Sequence, residues 1–265
     1  MEKQNKAWEM VQNARSPERL KPQDFVFNIF PDFMELHGDR YGGDDKTIMG
    51  GLATLNGEGV TVIATRKGTD LKSNMEYRFG MPSPEGYRKS LRLMRQAEKF
   101  HRPIITFVDT PGAYPGIEAE DHGISAAIAQ NLYEMSALQT PIIAIITGEG
   151  GSGGALALLV ADRTAILENS FLSVISPEGC ASILFKDSAQ APLAAESLRL
   201  DSQYLAEKQI VQQIFSESAS PEQLFAQIRD WISAQIAQIK QLSTAEMLAQ
   251  RFATLSAYGE YHEVN

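Results

Sequence analysis

Five glycines fall within the seven residues of the run GEGGSGG, Gly148 to Gly154, and several chemistries use such a run. Gly148, Gly150 and Gly153 have the spacing of a dinucleotide-binding turn, whose glycines let a pyrophosphate approach the backbone. Glu168, twenty residues beyond Gly148, stands where a ribose-binding acid belongs. Against that reading, Glu149 puts a carboxylate inside the would-be phosphate loop. Gly150, Ser152 and Gly154 instead spell a nucleophile elbow, which in its usual chain order needs a histidine after the serine. His37, His101 and His122 all precede Ser152, and only His262, in the polar tail GEYHEVN, follows it. A P-loop would continue with Lys and then Ser or Thr, whereas Ala155 and Leu156 follow here. Main-chain chemistry remains. Five glycines cost more backbone entropy than a packing role asks for, and so predict amides presented to an anion at a helix N-terminus. Two such donors stabilise developing negative charge without any side chain, and loss of one costs roughly 2.7 to 4 kcal/mol in a known case.

A strand must precede this loop and a helix follow it. TPIIAIITGEGGSGG, from Thr140, repeats a pattern met earlier in RPIITFVDTPGAYPG, from Arg102: a Pro-Ile-Ile strand, a glycine-bearing loop, then helical sequence. The two read as successive βα units, with residues 118–138 as the crossover, carrying Ile124, Ile128, Leu132 and Met135 at helical spacing. Neither strand alternates apolar with polar, as expected of parallel strands covered on both faces. Both loops then lie at the carboxyl edge of the sheet, where ligands bind in such folds. Upstream, Asn56-Gly57 between two β-rich runs predicts a hairpin over Ile48 to Lys67. Ser83-Pro84-Glu85 opens a helix to about His101, with Tyr87, Leu91, Met94 and Phe100 near one face. Short strands are expected at Thr164 to Glu168 and Phe171 to Ile175. A helical section follows, including an amphipathic helix through Leu224, Ile228, Ile232, Ile236 and Ile239. Residues 1–33 are polar, helix-prone and broken by Pro17, Pro22 and Pro31, and read as a lead-in to one domain spanning 34–265.

Composition narrows the function classes. The 265 residues are 43% hydrophobic and 22% charged with a formal charge of −9, which fits a folded globular chain and argues against a phosphate-tracking nucleic-acid face. The single cysteine, Cys180, cannot form an internal disulfide or a four-thiolate zinc site and reads as a small buried residue. The N-terminal MEKQNKAWEM lacks an apolar signal core, and no apolar run approaches the ~20 residues that span a bilayer; a cytoplasmic location is expected, with no membrane segment. Around the second loop, Gly112 and Ala113 either line the same pocket or form a tight turn after Pro111. Tyr114 either borders the ligand or packs, and Asp109 either orients a loop or caps the next element. Arg66, Lys67, Lys72, Arg78, Arg88 and Lys89 form the main basic stretch, open to two readings: a phosphate- or protein-binding face, or a solvated surface.

FGMPSPEGYRKSLRLM, PIITFVDTPGAYPG, GEGGSGGALA and SVISPEGCASILFKD are long, specific strings, and the chain from about Pro31 onward resembles the α subunits of bacterial acetyl-CoA carboxylase carboxyltransferases. The resemblance implies an α/β crotonase-like fold, a spiral of ββα units with a helical C-terminal section. It implies an obligate zinc-bearing β subunit in an α2β2 assembly, working with biotin carboxylase and the biotin carboxyl carrier protein. Carboxybiotin would release its carboxyl group at the subunit interface, and the biotin ureido anion would take the methyl proton of acetyl-CoA, which then becomes malonyl-CoA. By that resemblance Gly153 and Gly154 donate main-chain hydrogen bonds to the ureido oxygen, and Gly150, Gly151, Gly112, Ala113 and Tyr114 support the pocket. No metal belongs to this chain, and ATP is used by biotin carboxylase alone. Two alternatives stay open: a free-standing crotonase-like acyl-CoA hydratase or isomerase, which needs a side-chain acid or base over the loops, and a non-catalytic scaffold that completes a partner's site.

Overall fold

A computed structural model describes residues 6–259. Two helices, α1 (Lys6–Ala14) and α2 (Pro22–Ile29), come before the short strand β1 (Met34–Glu35) and the hairpin strands β2 (Ile48–Leu55) and β3 (Glu58–Thr65). Helices α3 (Leu71–Glu76) and α4 (Pro84–Lys99) lead to β4 (Ile104–Thr110). From there α5 (Ile117–Asp121) and α6 (Ile124–Ala137) cross to β5 (Ile142–Gly151), which runs directly into α7 (Ser152–Leu156). Next come β6 (Arg163–Leu167), β7 (Phe171–Ser173), α8 (Pro177–Leu184), α9 (Ala191–Leu198), α10 (Ser202–Glu207) and β8 (Gln213–Phe215). The last helices are α11 (Pro221–Ile239) and α12 (Thr244–Ser256).

The sheet order is β1-β2-β3-β4-β5-β6-β8, with β7 paired to β5. β1 to β3 are antiparallel, and β3 to β6 and β8 are parallel. The hairpin turns as its sequence predicts: Asn56 and Gly57 both have positive φ, 51° and 83°, as a two-residue primed turn requires. β4 and β5 are buried along their whole lengths, which explains their unbroken apolar sequence. Their residues divide by period two. Ile143 and Ile145 face a core closed by α2 and α11, with Phe25, Ile228 and Ile232. Ile142, Ala144 and Ile146 face a second core with Leu93 and Met94 of α4 and Met135 of α6. Residues 22–30 thus share a core with the sheet. The far end of the chain is tied in by Arg251 of α12, whose five donors all find acceptors on Asp162, Met135, Leu138 and Thr140 at 2.8 to 3.0 Å.

Several expectations change in detail. The crossover is two helices, because Gly123 takes a left-handed conformation (φ 79°) between them. Phe100 lies past the end of α4 and is exposed rather than on its buried face. Ser83 precedes α4 but donates its hydroxyl to Glu85 at 2.6 Å instead of accepting from the helix. His262 lies outside the described residues.

Candidate active site

At the carboxyl ends of three neighbouring parallel strands the chain places three charged side chains. Lys67 follows β3, Asp109 lies near the end of β4 and Glu149 near the end of β5. The Lys67 Nζ donates to Asp109 Oδ1 at 2.6 Å and to Glu149 Oε1 at 3.0 Å. The two carboxylates are 1% and 8% exposed, so neither has bulk water as an alternative partner. Burial opposes charge on Lys67, but the two carboxylates outweigh it and raise its pKa. Burial likewise works against an ionised Glu149, yet Lys67 and Arg15 together hold its carboxyl below the ordinary range.

This network sits in a distortion of the sheet. Val108 pairs with Ile146 and Thr110 with Gly150, so one residue of β4, Asp109, faces three of β5, Thr147 to Glu149. Asp109 Oδ1 fills the irregularity by accepting the Glu149 N–H at 2.9 Å. The lead-in reaches the same place: Arg15 Nε donates to Glu149 Oε2 at 2.8 Å and Arg19 Nε to the Thr147 carbonyl at 2.9 Å. Arg15 also pairs with Glu178 of α8 at 2.6 Å.

The glycine run has a different form from the one expected. Gly148 to Gly151 are strand residues, not a loop, and α7 begins at Ser152. Close approach explains most of the glycines. A Cβ at Gly148 would strike the Asp109 carboxylate, and one at Gly150 would lie 2.8 Å from the Phe171 carbonyl oxygen. At Gly151 it would collide with the Pro111 carbonyl, and at Gly154 with the Ala113 amide. Packing therefore accounts for four of the five, contrary to the inference that the run exceeds what a packing role asks for. Gly153 is the exception: it is half-exposed, and only Ile128, at 3.6 Å, lies within reach of its missing Cβ.

The same contacts bring the junction of β5 and α7 against the turn that follows β4. Gly151 and Gly154 pack backbone to backbone on Pro111, Gly112 and Ala113. Gly112 has φ 147°, and its amide and carbonyl both bond the Thr110 hydroxyl, at 3.1 and 2.7 Å. Tyr87, buried in α4, donates to the Gly154 carbonyl at 3.0 Å. Tyr114 stands further out, with the Arg78 guanidinium 5.4 Å from its ring centroid and its amide bonded to the Pro82 carbonyl. Ser152 has the strained positive φ (52°) of a nucleophile elbow. Yet among the described residues no histidine or carboxylate hydrogen-bonds its hydroxyl, so it has no base. The amides of Gly153 and Gly154, in the first turn of α7, have no acceptor inside the helix.

Sequence reading missed Lys67, Asp109, Glu149 and Arg15 as one unit. Asp109 is an ion-pair partner, not a cap. The basic stretch is not a basic face: Arg66 pairs with Glu35, Arg78 with Asp45, Arg88 with Asp39 and Glu85, and fully buried Lys89 with Asp44. Lys72 alone of the six is exposed. The usable signal was Glu149, a charge within a buried strand, which demands an opposite charge beside it. Cys180 is buried, as expected. Among the described residues no cluster of His, Cys, Asp and Glu is arranged to hold a metal ion, and no helix is long and apolar enough to cross a membrane.

The profile of the family described as acetyl co-enzyme A carboxylase carboxyltransferase-like matches residues 2–259, so the likeness extends through the lead-in rather than beginning near Pro31. The acetyl-coenzyme A carboxylase carboxyl transferase subunit alpha of Thiobacillus denitrificans is 51% identical over 262 residues, covering 97% of this chain and 81% of that protein. Its counterpart from Streptococcus sanguinis is 49% identical over 250 residues, 94% of this chain and 98% of that one. Among solved structures, the transcarboxylase 12S hexamer superposes with a TM-score of 0.68 at 19% identity over 98% of this chain and 46% of that chain. The Pseudomonas malonate decarboxylase MdcD-MdcE heterodimer gives 0.64 at 18% identity over 88% and 96%. The crotonase-like carboxyltransferase fold is thereby shown.

Proposed function

The chain belongs to the family of acetyl-coenzyme A carboxylase carboxyltransferase α subunits, and from that membership we propose that it transfers a carboxyl group to acetyl-CoA, giving malonyl-CoA, as the α partner of a β subunit. The reading extends to an α2β2 assembly in the cytoplasm, with zinc in the β subunit and ATP used by biotin carboxylase. The donor is carboxybiotin on the biotin carboxyl carrier protein, which supplies the carboxyl group and an oxygen that gains negative charge as that group leaves.

The observation that carries the site is the backbone docking of residues 151–154 on 111–113. It joins the β5–α7 junction to the turn after β4 at the carboxyl edge of a parallel sheet, the place where such folds bind ligands. Beside it, Gly153 is open where its neighbours are closed, which fits a ring approaching its amide. In this reading the Gly153 and Gly154 N–H groups hold the charged oxygen, worth several kcal/mol when preorganised. Gly150 and Gly151 fix the strand below, Gly112 and Ala113 form the facing wall, and Tyr114 stands at the rim. Asp109 and Glu149 are held by Lys67 and Arg15 and so are poor general bases, which disfavours a free-standing hydratase or isomerase.

Copurification with a zinc-bearing β subunit, followed by a malonyl-CoA assay, tests the proposal. Transfer from carboxybiotin is expected only from the assembled complex; full-rate transfer by this chain alone would overturn it.

A further inference from the structure

A second cleft lies apart from residues 109–116 and 148–154. It opens between α4, α6 and the turn at residues 38–43, and has a volume of about 680 Å³, within the range of small-molecule sites. We infer that it binds a nucleotide-like ligand, with phosphate on Arg40 and Arg92 and a planar ring against Tyr41.

Charge carries the argument. Of the four arginines lining the cleft, Arg88 is neutralised by Asp39 and Glu85, and Arg95 by Glu134. Arg92 touches no carboxylate; its Nε and Nη2 donate to the carbonyls of Gly38 and His37 at 2.9 and 3.2 Å. Arg40 makes no hydrogen bond or ion pair among the described residues. Asp44 and Asp39 act on Arg92 through space, but neither Arg40 nor Arg92 has an ion-pair partner among the described residues, which is unexpected in a chain of formal charge −9. The acids around them are already engaged: Asp39 by Arg88 and the amides of Tyr41 and Gly43, and Asp44 by Lys89 and His37. Burial, and then the charge of Arg40, lower the pKa of Arg92; a bound anion would act in the opposite sense. Guanidinium groups match phosphate oxygens in bidentate geometry, and two together favour a phosphate over a single carboxylate.

The remaining lining suits a ring. Tyr41 is 82% exposed, with the Arg88 guanidinium 6.0 Å from its centroid, and Leu91 and Ala127 supply apolar wall. Asn131, also in the wall, is fully buried and has its Oδ1 without a partner. A compact cavity with paired cations and an aromatic face fits a nucleotide better than an extended acidic protein segment.

Isothermal titration of the full chain, free and assembled with its β subunit, tests this with ADP, adenosine 3′,5′-bisphosphate, inorganic phosphate and adenosine. Expected results are saturable binding of the two nucleotides, at least tenfold tighter than adenosine or phosphate alone, weakening with salt. Arg40→Gln, which breaks no hydrogen bond, and Arg92→Gln should each weaken nucleotide binding about tenfold, with Arg229→Gln on α11 unchanged. The relative strength of ADP and adenosine 3′,5′-bisphosphate separates a free nucleotide from the head of coenzyme A as the source. Absence of saturable nucleotide binding at millimolar concentration, equal effects of Arg40→Gln and Arg229→Gln, or phosphate binding as tightly as ADP would overturn it. So would binding lost on assembly, which would assign the cleft to a protein contact. Because the readout is binding, failure here leaves the carboxyl-transfer reading untouched.

Discussion

Replacing Lys67 by methionine removes the positive charge shared by two buried carboxylates while keeping a chain of similar length. Asp109 loses its ion-pair partner at 2.6 Å, whereas Glu149 keeps Arg15 at 2.8 Å. Breaking a buried pair by deleting one member costs about 3 to 5 kcal/mol, because the other charge stays desolvated. Arg15 offsets that cost at Glu149 but not at Asp109, so a loss near 3 kcal/mol is expected, read as a lower urea midpoint at pH 7 with an unchanged slope. Adding Asp109→Asn should recover most of the loss at pH 7, since an amide oxygen still accepts the Glu149 N–H. A loss under about 1 kcal/mol, or a double variant no better than the single one, would refute the claim that this pair sets the strand ends.

The glycines and the acid limb of stability offer two further tests. Gly153→Val should leave the unfolding free energy within about 1 kcal/mol of wild type, yet slow transfer in the assembled complex by roughly a hundredfold through crowding of the amide; retention of a tenth of normal turnover would remove Gly153 from the site. Gly154→Ala should instead cost about 1 to 3 kcal/mol by overpacking against Ala113 and Tyr87, and a neutral effect would show that the backbone contact yields. On acidification, carboxyls held below their ordinary range contribute stability fully above about pH 4.5 and lose it as pH falls through their folded values. Asp44, lowered from 3.8 to about 2 beside Lys89, makes Asp44→Asn flatten that limb in urea titrations between about pH 5 and 2; parallel curves would refute the assignment.

Features set by local chemistry were legible in the sequence. Asn56-Gly57 dictated the hairpin, the Pro-Ile-Ile runs dictated buried parallel strands, and the spacing of Leu224, Ile228, Ile232, Ile236 and Ile239 dictated the buried face of α11. Features set by contacts distant in sequence were not. Lys67 and Glu149 are separated by 82 positions and Arg15 and Glu149 by 134, and nothing periodic links them. The glycine run was misjudged for the same reason: the cost of a Cβ at Gly148, Gly151 or Gly154 is set by Asp109, Pro111 and Ala113, on another strand and its loop.

These two misjudged features are one construction. To carry its last residues and α7 over the 111–113 turn, β5 must depart from β4's register, and the departure leaves an unmatched segment at Thr147 to Glu149. Water cannot satisfy a segment buried there, so Asp109 bonds the Glu149 amide and brings a negative charge into the sheet. That charge and the Glu149 carboxylate then require Lys67 and Arg15, which tie β3 and the lead-in to the strand end. Gly148 is needed because Asp109 occupies the space its side chain would take, and Gly151 and Gly154 because the turn lies against them. Only Gly153 is left open by this chain of requirements. The Gly153 amide is therefore held by a rigid support anchored on four separate segments, which is what a main-chain donor needs to stabilise charge without reorganising.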